Sequence, residues 1–97
     1  GGDFTGNGGD GSRSISWNNG LATADYNADI TAPAPGTFQM IVEDADGNVV
    51  LDRTINGGSE PDSIDGVTSA GTPGEWTVTI ILTSFNGDGS YSLSEGD

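Results

Sequence analysis

An acidic turn contains the residues whose types and spacing could do chemistry in this 97-residue sequence. Asp44, Asp46 and Asn48 alternate with other residues, as the ligands do in the first half of an EF-hand-type calcium loop. The second half departs from that loop, because Val49 stands where glycine is needed and Ile55 stands where glutamate is needed. Two interpretations therefore stay open: a Ca²⁺ site formed by these oxygen ligands, or a hairpin turn that needs no cofactor.

The residue types that the sequence lacks exclude most catalytic chemistry. It contains no cysteine, histidine or lysine. Without them there is no Ser-His-Asp or Cys-His nucleophile, no Schiff base, no phosphate-binding lysine and no typical zinc site. A pair of carboxylates could still hydrolyse a glycoside, but such a pair needs a shaped cleft, and most acidic residues lie in predicted turns. We therefore predict that the protein is not an enzyme.

The charge balance limits the classes of partner. Asp and Glu total 15 against two cations, Arg13 and Arg53, which gives a formal net charge of −13. Such a surface repels phosphate backbones and anionic lipids, so we expect neither a nucleic-acid partner nor membrane insertion. Three origins of the acidity stay open: adaptation to salt, calcium binding by clustered aspartates, or drift in a Gly/Asp/Ser-rich secreted protein.

Alternating apolar and polar residues, separated by turn signals, predict an all-β fold. The clearest strands are residues 37–43 and 75–84, and a turn at 86–89 should separate the latter from a strand at 90–94. About seven strands are expected, in a two-layer antiparallel β-sandwich of Ig-like or jelly-roll type. The glycine-rich residues 1–11 precede a single domain at 12–97. The predicted core comprises Phe38, Met40, Val42, Leu51, Trp76, Val78, Ile80 and Leu82.

Four apolar residues are candidates for contact with a partner. Ile15 and Trp17 share one face of the alternating segment 12–18, so we expect both to be buried against a sheet, either that of the same chain or that of a neighbour. Ile41 and Ile81 occupy outward positions on otherwise polar strands, which predicts an exposed apolar patch if the two strands are adjacent. A sugar-stacking role is an alternative for Trp17 and Trp76, but the inward positions of both favour packing.

Three segments carry a resemblance to a known family. Residues 74–79 read Gly-Glu-Trp-Thr-Val-Thr, residues 86–93 read Asn-Gly-Asp-Gly-Ser-Tyr-Ser-Leu, and residues 36–47 end in an Asp-Gly turn. This pattern resembles the bacterial pre-peptidase C-terminal domains and the related P-domains of secreted proteases. The resemblance implies a jelly-roll or Ig-like sandwich with a secreted, non-catalytic accessory role. It implies no active site.

Two functions of different classes follow. The first is an extracellular structural module, such as a subunit of a cell-surface or filament-type assembly, which associates through strand and sheet-edge contacts. Its partners would be copies of itself or another extracellular protein. The alternative is an accessory binding domain of a secreted hydrolase, stabilised by calcium if the acidic turn binds it. Both place the protein outside the cell or at its surface.

Overall fold

The computed structural model describes residues 2–59 and 62–96, which form an antiparallel β-sandwich. The described residues contain no helix that is long and apolar enough to cross a membrane. The strands are β1 (Gly2–Asn19), β2 (Ala24–Thr31), β3 (Thr37–Glu43), β4 (Val49–Asn56), β5 (Ser63–Val67) and β6 (Gly74–Glu95). This architecture agrees with the predicted fold class, with six strands where about seven were expected.

The long strand β6 belongs to both layers of the sandwich. Its first half pairs with β3, and its second half pairs with β2. Strand β1 follows β6 along its other side over almost its whole length. The first layer is therefore β4-β3-β6-β1, the second is β5-β2-β6-β1, and both long strands pass from one layer to the other. Pairing on both sides over most of its length makes β6 the centre of the fold.

The predicted turn at residues 86–89 is wrong, because these residues lie inside β6. The two glycines here allow close packing and do not reverse the chain. A Cβ at Gly87 would overlap the backbone of Thr31, and a Cβ at Gly89 would overlap the ring of Phe4. The chain bends earlier, at Ser84, which has a φ of 49°. Its amide donates a hydrogen bond of 2.8 Å to Oδ1 of Asp10 on β1.

The predicted core is confirmed with one exception. All its members are buried except Leu82, which is half-buried. The alternation of β6 also holds, because Val78 and Ile80 face the interior while Thr77 and Thr79 are more exposed. Period-2 patterning specifies this register, since a slip of one residue would exchange the two faces. Further buried apolar residues of the core are Ala24, Tyr26, Ala28, Ile30, Val50, Ile55, Ile64, Phe85 and Tyr91.

The glycine-rich segment at the start of the chain is part of the sheet. From Gly2 onwards it pairs with β6, beginning opposite Tyr91; Gly1 lies outside the described residues. The ring of Phe4 stacks on Phe38 of the opposite layer with centroids 5.0 Å apart and lies 5.6 Å from Phe85. One aromatic side chain among small residues thus attaches this half of β1 to the core.

Candidate functional site

Apolar side chains that the core covers only in part are concentrated on one side of the sandwich. Apart from Ala32, all of them lie along the opening between the layers beside β1. Two cavities of about 180 Å³ and about 140 Å³ occupy this opening and share Tyr91 as a common wall. We name it the β1 cleft. Its main lining residues are Phe4, Arg13, Ile15, Trp17, Val78, Ile80, Leu82, Tyr91 and Leu93.

Strand pairing places these side chains. Within the β1–β6 ladder Arg13 lies opposite Ile80, Ile15 opposite Val78, and Trp17 opposite Trp76. Directly opposed residues of an antiparallel pair share one face, so Arg13, Ile15 and Trp17 all project to the inner side of the first layer. The cleft therefore follows from the same alternation that builds the core.

A glycine on the other half of β1 leaves room for an aromatic side chain in the cleft. Gly2 lies opposite Tyr91, and a Cβ at Gly2 would lie 3.3 Å from the Tyr91 hydroxyl oxygen. A larger residue would therefore press on the phenol.

Three side-chain donors of the cleft have no partner among the described residues. The Nε1 atom of Trp17 is buried without a hydrogen bond. The guanidinium of Arg13 and the hydroxyl of Tyr91 likewise make no hydrogen bond or ion pair with a described residue. A buried donor left unpaired costs about 1–3 kcal/mol, so Trp17 is held in an unfavourable environment.

The second arginine of the chain has a different environment. Arg53 lies on β4, opposite Met40, and its Nη1 atom donates a hydrogen bond of 3.1 Å to the hydroxyl of Tyr26. This contact connects the two layers on the side of the sandwich formed by β4 and β2. Among the described residues, Arg13 is therefore the one cation that lines the β1 cleft, and it has no described partner there.

The two predicted contact pairs lie on opposite faces of the first layer. Ile15 and Trp17 point inward, half-buried in the cleft. Ile41 and Ile81 are half-buried on the outer face; Ile41 lies opposite Thr79 and Ile81 opposite Gln39, so the two isoleucines are diagonal neighbours. The four residues thus form two separate surfaces.

Hydroxyl groups surround the outer isoleucine pair. The hydroxyl oxygens of Ser14 and Thr79 are 3.0 Å apart, and further hydroxyls come from Ser12, Ser16, Thr77 and Thr37. By the same alternation the outer face of the second layer is acidic. Its carboxylates are Asp3, Asp25, Asp29, Asp65 and Asp88.

The acidic turn between β3 and β4 is organised around one carboxylate. Asp44 is buried and accepts hydrogen bonds from the backbone amides of Thr72, Asp46 and Asn48, at 2.8–3.0 Å, and from the Asn48 side chain at 3.4 Å. The Thr72 amide lowers the pKa of Asp44 most, against the opposing effect of burial. Asp46 accepts a 2.7 Å hydrogen bond from the Thr72 hydroxyl.

The predicted calcium ligands are thus together, but N–H donors surround the central carboxylate. Asp44, Asp46 and Asn48 all belong to this one turn, where they bind the loop that contains Thr72. Among the described residues no group of three or more acidic side chains is arranged to hold a metal ion. The contacts present in the turn are those of a structural cap.

Sequence reasoning missed Arg13, Phe4 and Leu93 as members of the cleft. Arg13 could have been found, because it continues the inward spacing of Ile15 and Trp17 and is one of only two cations. Phe4 lies in the segment interpreted as a glycine-rich N-terminal piece. Its partners Phe38 and Phe85 are distant in sequence, so no local pattern indicates them.

The chain was compared with known proteins. No family model matches it, and neither does any curated protein. Among solved structures it is similar to one described as "CBM4 structure and function", with 19% identity and a TM-score of 0.41, over 84% of this chain and 65% of that one. It is also similar to a glycoside hydrolase family 43 arabinoxylan arabinofuranohydrolase from Bacillus subtilis in complex with cellotetraose. There the identity is 20% and the TM-score 0.37, over 95% of this chain and 20% of that one. No family is assigned to the chain.

Proposed function

We propose that this chain is a non-catalytic binding module of an extracellular or cell-surface protein, and that the β1 cleft is its contact site. The observation that carries the proposal is the concentration of partly covered apolar side chains in this one opening. Concave apolar surfaces with a few convergent polar groups are typical of binding sites, whereas single exposed apolar residues are not.

Composition supports the same function. The chain has no histidine, cysteine or lysine, the side chains that most often serve in nucleophilic catalysis and in zinc sites. This composition favours a binding function over a catalytic one. The resemblance to pre-peptidase C-terminal domains favours a secreted accessory role. The acidic surface favours solubility.

Amide NMR of the whole chain tests the site. Two probes are titrated separately: cellotetraose, and an N-acetylated tetrapeptide of alternating serine and leucine with a free carboxylate. We expect one of them to shift the resonances of cleft residues such as Ile15, Trp17 and Tyr91. If both leave the cleft unchanged, or if shifts are confined to the outer face around Ile41 and Ile81, the proposed site is wrong.

A matched pair of variants sharpens this test. Ile15→Thr and Ile41→Thr each shorten a half-buried isoleucine of a strand, one in the cleft and one on the outer face. Binding should weaken in the first variant and persist in the second. The spectrum of each free variant shows whether it is folded.

The second candidate function is assembly through strand pairing. Within the described residues β1 pairs with β6 alone, so its other edge, 18 residues long, has free backbone donors and acceptors. A neighbouring strand could extend both layers there. Size-exclusion chromatography with light scattering separates the two candidates: the binding module is expected to be a monomer, and a defined oligomer or polymer would favour assembly.

A further inference from the structure

Four asparagines of the chain are followed directly by glycine: Asn7, Asn19, Asn56 and Asn86. In an Asn-Gly pair the side-chain amide can be lost by reaction with the chain's own backbone, because glycine carries no side chain to block the approach. The reaction needs a free asparagine side chain and a backbone that can turn to meet it. The environments of the four pairs therefore decide which of them reacts in the folded protein.

Two of the pairs are held by hydrogen bonds. The side chain of Asn19 is buried, donates to the carbonyl of Thr23 and accepts from the amide of Leu21, both at 3.0 Å. After Asn56, the amide of the buried Gly57 donates a hydrogen bond of 2.8 Å to the carbonyl of the residue that precedes β3. In each pair at least one of the two reacting groups is already engaged.

A third pair lies inside β6. Asn86 and Gly87 pair in register with Asn7 and Gly6 of β1. A Cβ at Gly87 would overlap the backbone of Thr31, so this stretch of β6 is also packed from a second side. An extended and paired backbone keeps the glycine amide from turning towards the asparagine side chain.

Asn7 is different, because the register of β1 shifts directly after it. The register passes from Asn7 to Gly9, so Gly8 has no paired residue on β6. Gly8 has a φ of 86°, and a Cβ there would meet nothing within 4 Å, so the space beside it is open. The side chain of Asn7 is exposed and makes no hydrogen bond with a described residue.

We propose that Asn7 is a site of spontaneous deamidation in the folded protein. The nitrogen of Gly8 attacks Cγ of Asn7, and the new N–C bond closes a succinimide ring. The Cγ–Nδ2 bond breaks, and ammonia leaves with the proton of the Gly8 amide. Water then opens the ring at either carbonyl and gives aspartate or isoaspartate. Water is the only co-reactant, and the modification is independent of what the β1 cleft binds.

Both products change the point at which β1 passes between the layers. Aspartate adds a charge, whereas isoaspartate also lengthens the main chain by one carbon, between the half of β1 that carries Phe4 and the half that carries Ile15. The isoaspartate form, isolated by ion exchange, should therefore melt at a lower temperature than Asn7→Asp, which has the same charge on an unaltered main chain. Equal melting temperatures would contradict this effect.

Site-resolved mass spectrometry of the unchanged chain tests the proposal, after incubation at mildly alkaline pH both folded and in concentrated urea. Cleavage before aspartate places each Asn-Gly pair in its own peptide, at residues 3–9, 10–24, 52–61 and 65–87. The ratio of the unfolded to the folded rate at each site removes intrinsic sequence effects. We expect a ratio below about threefold for Asn7 and above about tenfold for the other three sites, which react only after local opening.

Two variants test the attacking group. A Cβ at Gly8 or at Gly9 would meet nothing within 4 Å, so Gly8→Ala and Gly9→Ala are a matched pair. The methyl group of Gly8→Ala hinders the attack and should slow loss of the Asn7 amide by at least about tenfold, whereas Gly9→Ala should leave the rate unchanged. Protection of Asn7 in the folded chain as large as that of the other three sites would overturn the proposal. So would an Asn7 rate that Gly8→Ala does not change.

Discussion

Trp17 and Trp76 lie directly opposite each other on β1 and β6, with ring centroids 6.2 Å apart in an edge-to-face arrangement. Their indole nitrogens differ completely. Nε1 of Trp76 donates a hydrogen bond of 2.7 Å to the carbonyl of Thr72, whereas Nε1 of Trp17 is buried without a partner. The pair marks the boundary between the closed core and the β1 cleft.

This difference predicts opposite effects of the same substitution. Trp76→Phe removes a satisfied hydrogen bond and core volume, and should lower the free energy of unfolding by about 2 kcal/mol. Trp17→Phe removes an unpaired donor and should change it by less than about 1 kcal/mol. Urea unfolding of both variants measures the difference. Equal losses would mean that Trp17 contributes to the core as Trp76 does.

Phe4 should stabilise the fold although it lies in a glycine-rich segment. Its ring contacts Phe38 and Phe85, so Phe4→Ala is expected to cost about 2 kcal/mol of unfolding free energy. Thr5→Ala, which removes an exposed hydrogen bond to Asp88, is the control and should have little effect. If Phe4→Ala lowers the free energy of unfolding as little as Thr5→Ala does, the pairing of β1 with the second half of β6 contributes little to stability.

The Asp44 turn should lose its stabilising effect in acid. Because the folded state lowers the pKa of Asp44, its contribution is fully present above the unfolded-state pKa of about 3.9 and is lost as pH falls through the lower folded pKa. Thermal melts of the unchanged chain and of Asp44→Asn should therefore differ at pH 6 and converge towards pH 2. Asp65→Asn is an exposed control. A difference between the unchanged chain and Asp44→Asn that stays constant over this range would contradict the account.

Salt should stabilise the protein through its acidic outer face. The net charge of −13 is self-repulsive, and Asp29 lies among other carboxylates of the second layer. The melting temperature should rise with sodium chloride. Asp29→Asn should raise it at low salt and have no effect near 1 M, where screening is strong. A melting temperature that does not change with salt would show that repulsion between these carboxylates does not limit the stability of the fold.

The same melts test the predicted calcium site. Donors already engage the carboxylate of Asp44, so we expect calcium to act only as a screening cation, equal to magnesium at the same concentration. A larger stabilisation by calcium that disappears in Asp46→Asn would establish a specific site in the turn.

Local alternation predicted the strands and the core but could not predict where the strands bend. Val78 and Ile80 follow a period of two that any extended chain obeys. Gly87 and Gly89 are as typical of a turn as any pair in the sequence. In the structure they lie within a strand instead, where the absence of a side chain lets Thr31 and Phe4 pack closely against them.

The β1 cleft could be predicted only in part for a related reason. The inward positions of Ile15 and Trp17 are visible in the sequence. Tyr91 lies beside them because β6 bends before it reaches this residue. The bend is at Ser84, whose amide donates a hydrogen bond to Asp10, a residue 74 positions away. Pairings over such separations leave no periodic trace in a single sequence.

Fluorine NMR of the chain labelled with 5-fluorotryptophan tests the central claim most directly, because the sequence contains only two tryptophans. Trp17→Phe assigns the two signals. On titration with the serine–leucine tetrapeptide, the Trp17 resonance should shift in a saturable way while the resonance of Trp76, which is fully buried, stays in place. Binding detected by calorimetry without any shift of the Trp17 resonance would show that the ligand contacts another surface, and would contradict the assignment of the β1 cleft as the binding site.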